Sequence, residues 1–232
     1  MKAHTERHFH PTIALRDVVI GLSDGLTVPF ALAAGVSVAI ASSRVVVTAG
    51  LAEIVAGAIS MGLGGYLAAR TDVEQYLSEE RREYSEVELV PHIERDEVAD
   101  IFKQYGLEGP ELERVVDHIV ANPDRWVDFM MKFELGLERP QIGQAPISAL
   151  TIALSYALGG FVPLVPYIVI PNVPDALIVS CVLTVLALFL FGGFKARLTR
   201  TPWLRGAFQT AGIGAAAAAA AFGIARLVTG SG

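Results

Sequence analysis

Residues 52–70 read "AEIVAGAISMGLGGYLAAR", and residues 71–89 continue as "TDVEQYLSEERREYSEVEL". The first stretch is mostly Ala, Gly, Ile, Val and Leu and extends an apolar run that begins near Val45. About 20 such residues, rising 1.5 Å each, cross the ~30 Å hydrocarbon core of a bilayer. The second stretch is too charged to enter lipid and reads as the same helix continuing into water. The apolar part nevertheless carries Glu53 and Met61. A carboxylate within a span costs roughly 2.5–3.5 kcal/mol, so Glu53 needs a physical reason to be there.

Working outward, four more segments are long and apolar enough to span: 18–40, 147–169, 176–194 and 204–228, with 45–67 as the second of five. The chain has 232 residues, 53 % of them hydrophobic, and a mean hydropathy of +0.49, too apolar for an ordinary soluble domain. Its net charge of −6 gives no basic surface for nucleic acid. The single cysteine, Cys181, lies in an apolar run and reads as a small buried hydrophobe. No cleavable signal peptide is expected, because the opening "MKAHTERHFHPT" is polar and the first apolar run has no cleavage pattern.

Between spans two and three, residues 71–145 hold nineteen of the twenty-four acidic residues. The expected class is therefore an all-α membrane protein: five transmembrane helices with a cytosolic helical metal-binding insert between spans 2 and 3. The domains are then 1–70 (tail and spans 1–2), 71–145 (insert) and 146–232 (spans 3–5). The distribution of Lys and Arg sets the orientation. One side receives Lys2, Arg7, Arg16, nine basic residues from Arg70 to Arg139, and Lys195, Arg197, Arg200 and Arg205. The other receives only Arg44 and Arg226, and its loop "PLVPYIVIPNVPD" has none. The N-terminus and insert are expected on the cytosolic side.

The first span, within "DVVIGLSDGLTVPFALAAG", places Asp24 between Ser23 and Gly25, one turn before Pro29. Gly and Pro loosen a helix and free backbone carbonyls, which is tolerated where they line a cavity. Neither of the first two spans holds a basic residue to neutralise Asp24 or Glu53. Met61 follows Glu53 at i+8, about 80° around the helix, so both can approach one path. The run "AGIGAAAAAAAFG" in the fifth span reads as close helix packing, with no chemistry assigned.

In the insert, Pro91, Pro110 and Asn122-Pro123 open successive helices, and Gly106 stops one. The last helix is expected over 122–137. Glu79, Glu83 and Glu86 share one arc of the first helix. In the second, Val98, Ile101, Phe102 and Tyr105 make the expected apolar face; Glu94 projects among them and Glu97 borders them. Trp126, Met130, Phe133 and Leu137 make that of the last helix, with Glu134 and Met131 adjoining. Clustered carboxylates from facing helices build divalent metal sites, and thioether sulfur beside them tilts the choice toward a softer transition metal such as Fe²⁺. His4, His8 and His10 read as an exposed tail, and His92 and His118 as surface residues.

"GLSDGLTVPFALAAG", "AEIVAGAISMGLGGYLAARTDVEQY" and "ALSYALGGFVPLVPY" resemble the vacuolar iron transporters of plants and fungi, the plant type above all. The resemblance covers nearly the whole chain, including the long acidic insert. It implies a homodimer in the vacuolar membrane that moves Fe²⁺ out of the cytosol in exchange for protons. Mn²⁺, Co²⁺ and Zn²⁺ are further candidate cargo, and no prosthetic group is implied. By motif, Asp24, Glu53 and Met61 would line the path. Glu83, Glu86, Glu94, Glu97, Met130, Met131 and Glu134 would form the cytosolic metal site. Two other readings are a membrane-tethered ferritin-like ferroxidase and a metal-binding scaffold. The ferroxidase is disfavoured because the Glu-x-x-Glu pairs lack the histidine usual at such sites.

Overall fold

The computed structural model describes residues 13–141 and 143–230. The N-terminal histidines therefore lie outside the described residues. Eight helices follow in order: α1 (Ile13–Ala39), α2 (Ser43–Leu89), α3 (Pro91–Gln104), α4 (Gly109–Val120), α5 (Pro123–Phe133), α6 (Gln144–Val169), α7 (Val173–Leu198) and α8 (Trp203–Thr229). No strand occurs among the described residues. Five of the helices, α1, α2, α6, α7 and α8, are long and apolar enough to cross a membrane. The chain divides into two compact units, Met1–Tyr66 with Ala145–Gly232, and Leu67–Gln144. At 47 residues α2 is roughly 70 Å long, more than twice the hydrocarbon thickness, and its charged part after residue 67 lies beyond the span.

In the first unit the helices pack through small residues. A Cβ added at Gly159 of α6 would lie 3.0 Å from the backbone of Gly25 and Leu26 on α1, so glycine lets these two backbones touch. Gly192 of α7 and Gly206 of α8 meet in the same way. The alanine-rich run of α8 supplies Ala211, Gly214 and Ala218 to its buried face. Pro163 and Pro166 sit inside α6, and the Ser180 hydroxyl of α7 donates to the Pro163 carbonyl at 2.7 Å. Large apolar side chains such as Ile59, Leu158 and Leu190 point outward, as lipid-facing positions do.

The second unit has its own core. Val98, Leu112, Val116, Trp126, Phe129 and Met130 form one cluster, and Tyr76, Val127 and Met131 another. Pro begins α3, α4 and α5 at the first or second position, and the Asn122 side chain accepts from the Arg125 N–H to cap α5. Two expectations are corrected here. Tyr105 is 77 % exposed, because α3 ends at Gln104 and the chain turns at Gly106 with φ +84°. Phe133 is 53 % exposed, because α5 ends there rather than at Leu137; the buried face is Trp126, Val127, Phe129, Met130 and Met131.

Candidate functional site

Two groups of carboxylates stand out, one in each unit. In the membrane-spanning unit, Glu53 is half-buried on α2, and the Tyr156 hydroxyl of α6 donates to its Oε1. Its Oε2 is buried with no hydrogen-bond partner. Tyr156 is 2 % exposed and is held from two sides. Gly57, one turn beyond Glu53, packs against the phenol ring, and Gly25 of α1 packs against the Tyr156 backbone. A side chain at either glycine would displace the tyrosine. Asp24, next to Gly25 on α1, is half-buried, and Met61 is half-buried two turns along α2 from Glu53. A carboxylate with one oxygen donated to and the other free in a buried setting is prepared to receive a proton or a cation.

Sequence reasoning assigned no role to Tyr156, although "ALSYALGG" placed it in mid-span. A tyrosine there has a polar tip that must find a partner, and that was the available signal. Asp17, just before the first expected span, likewise has no role in the sequence reading. It is fully buried.

In the second unit, the break at Val90 folds the start of α3 back toward the end of α2. Glu83, Glu86 and Glu94 each offer an oxygen, and these oxygens all lie within 4.8 Å of one another. Glu83 is 1 % and Glu94 4 % exposed. Glu94 lies in the first turn of α3, where the helix dipole favours an anion. Oε2 of Glu83 and of Glu94 is buried without a hydrogen-bond partner.

The electrostatics report crowding. Burial first, then the charges of Glu134 and Glu86, push the Glu83 carboxyl up to about 7. Burial, then Glu97 and Glu83, push Glu94 up to about 7 as well. Glu134 is raised by desolvation and then by Glu97, although the residue as a whole is exposed. Glu97 and Glu134 thus belong electrostatically to the same group. Met130 and Met131 are fully buried in the two apolar clusters beneath α5. His92 and His118 are exposed.

Among the described residues, Arg82 is the cation recorded against this group. Arg82 pairs with Glu79 at 3.2 Å, Glu86 at 3.3 Å and Glu83 at 3.5 Å, while half-exposed. Three weak, solvent-screened contacts hold it, so a divalent ion can displace it. Arg82→Ala is therefore expected to tighten divalent-metal binding roughly 3–10-fold, since the ion no longer competes with a resident charge. Titration calorimetry of the two forms with Mn²⁺ checks this; weaker binding by the variant would mean that Arg82 organises the carboxylates instead.

Unpartnered carboxylate oxygens thus occur in both units. A family model described as the VIT family matches residues 15–226. The chain belongs to the VIT family. Among its relatives is vacuolar iron transporter 1 of Arabidopsis thaliana, 56 % identical over 225 residues, which cover 97 % of this chain and 90 % of the relative. Vacuolar iron transporter 2 of Oryza sativa subsp. japonica is 55 % identical over 97 % of this chain and 92 % of its own. Vacuolar iron transporter cccA of Arthroderma benhamiae is 39 % identical over 98 % of this chain and 84 % of its own. All three carry the name of transporters, and none that of an enzyme. The VIT match runs from α1 through α8, so both carboxylate groups of this member fall within it.

Proposed function

We propose that this VIT member is a proton-coupled antiporter that moves Fe²⁺ from the cytosol into the vacuole. It is a transporter and not an enzyme. The observation that carries the reading is Glu53, a carboxylate within a candidate span whose one oxygen is held by Tyr156 and whose other has no partner. Such a group binds a proton or a metal ion, but not both at once. Asp24 shares the task from α1, and Met61 contributes preference for a softer ion. On the side of near-neutral pH the carboxylates deprotonate and load metal. Alternately exposed to an acidic lumen, they protonate and release it. The pH gradient thereby gives direction to one set of sites.

The acidic unit, read as cytosolic with the N-terminus, collects the ion. Glu83, Glu86, Glu94, Glu97 and Glu134 supply hard oxygen ligands, and Met130 and Met131 are the candidate sulfur ligands. Mn²⁺, Co²⁺ and Zn²⁺ are further candidate substrates, because the same ligands suit each of them to a degree. A vacuolar, multi-pass homodimer is part of this proposal, supported by the relatives' names and by the resemblance drawn from the sequence.

The test is reconstitution. With an acidic vesicle interior and Fe²⁺ outside, uptake should alkalinise the interior, and a protonophore should slow it sharply. Met61→Leu, which keeps volume and loses sulfur, should reduce Fe²⁺ uptake more than that of a harder ion such as Mn²⁺. Uptake at an unchanged rate with no gradient and no proton movement would show a uniporter or channel instead.

A further inference from the structure

Asp17 of α1 is wholly inaccessible, and neither of its carboxylate oxygens has a hydrogen-bond donor. The cation recorded beside it among the described residues is Arg16, whose Nε is 3.5 Å from Oδ1 but whose side chain is 59 % exposed. That single off-centre contact leaves a buried anion largely uncompensated. A helix seldom carries such a group without a use for it.

Its surroundings follow from the register of α1 on α6. Gly21 packs on the Ile152 carbonyl and on Ser155, and Gly25 packs on Tyr156. Residues 17, 21 and 25 form one i+4 row, and residues 148, 152 and 156 form another. One turn before Gly21, Asp17 therefore comes level with Ser148, which is 1 % exposed. Gly65 of α2 closes the same level, since a Cβ there would lie 3.9 Å from the Ser148 carbonyl. Gly65 and Ser148 are thus the small residues at this level, with the Ile152 side chain beside them. Asp24 follows Asp17 at i+7, within about 20° of the same face and roughly 10 Å further along α1. This level is the end of the unit where α1 begins, residue 67 departs and α6 enters.

We propose that Asp17 is a further cation-binding residue of the translocation path, taking the divalent ion at the end of the α1–α6 seam from which the chain leaves for the 67–144 unit and passing it to Asp24 two turns deeper. The inference rests on the transport reading above. Asp17 would act at the cytosolic mouth, with the Ser148 level as its floor. Glu53 and Tyr156 act deeper, so loss of Asp17 should weaken capture before it weakens passage.

The experiment compares full-length chain with Asp17→Asn and Asp17→Glu in vesicles with an acidic interior. Fe²⁺ uptake is followed over a range of external Fe²⁺, and thermal melting is followed in detergent. Asp17→Asn should raise the half-saturating Fe²⁺ by about tenfold or more, the scale of losing a metal-site group. Its maximal rate should fall less, and its melting temperature should be unchanged or higher, because a buried uncompensated charge is gone. Asp17→Glu should recover a large part of the capture. A half-saturation point close to that of the unsubstituted chain overturns the proposal and leaves the transport reading intact. So does a loss of uptake that tracks a fall in melting temperature and is not rescued by Glu, which would make Asp17 a purely structural group. If the unsubstituted chain takes up no Fe²⁺, the transport reading fails and this one falls with it.

Discussion

Glu53→Gln is expected to lower Fe²⁺ uptake by about 100-fold or more while leaving the protein in the membrane at its normal level. Gln keeps the shape of Glu and can still accept from the Tyr156 hydroxyl at its carbonyl oxygen. It cannot take up a proton or carry a negative charge. Losing a charge-assisted interaction in a dry site is worth roughly 1.5–3 kcal/mol, about 10–150-fold in an equilibrium constant. Loss of the exchangeable proton comes on top of this, because a neutral amide cannot couple metal release to the gradient. Asp24→Asn should behave similarly, since no basic residue in α1 beyond Arg16 offers it a counter-charge. Uptake assays at matched protein level in the vesicles described above decide the matter. Near-normal transport by Glu53→Gln would remove Glu53 from the path and leave Tyr156 with a merely structural bond.

The second large effect concerns the acidic unit. Glu83→Gln with Glu94→Gln should weaken divalent-metal binding by about 100-fold or more, because the two most buried carboxylates of the group lose their charge together. Burial and then the neighbouring carboxylates push both groups from the ordinary 4.5 up to about 7 in the folded unit. Both groups therefore give up protons as the pH rises through about 7, so apparent affinity should rise about tenfold or more between pH 6 and pH 8. Metal binding at pH 7 should release protons. The sign for stability is the reverse of the common case. The folded unit holds protons that the unfolded chain has already given up, so its metal-free stability is greatest below pH 4.5 with respect to these two groups and falls as pH rises toward 8. One kcal/mol of this linkage moves the melting temperature of a unit this size by roughly 4–8 °C. Melting of residues 67–144 at pH 5 and pH 8, with and without Mn²⁺, measures it. A profile as flat for the unsubstituted unit as for the double variant would show that the carboxylates are not crowded in solution.

Much of this was written in the chain. Five apolar runs of about 20 residues require five spans, because hydropathy is a local sum and a bilayer has one thickness. The prolines at 91, 110 and 123 open their helices wherever the rest of the protein lies, because a proline lacks an N–H and suits a helix start. The inward aspect of Glu94 followed from 3.6-residue periodicity. Periodicity failed at Tyr105 and Phe133 because both stand at helix ends, where the next residue no longer continues the face. Three features belonged to the tertiary structure alone. The Tyr156–Glu53 bond joins residues 103 positions apart, and nothing local to either names the other. The meeting of Glu83 and Glu86 with Glu94 depends on the turn at Val90. The burial of Asp17 depends on how closely α1 approaches α6 through Gly21 and Gly25. Composition sets which residues can enter lipid, but whether a carboxylate there finds a partner is decided by the helix that packs against it.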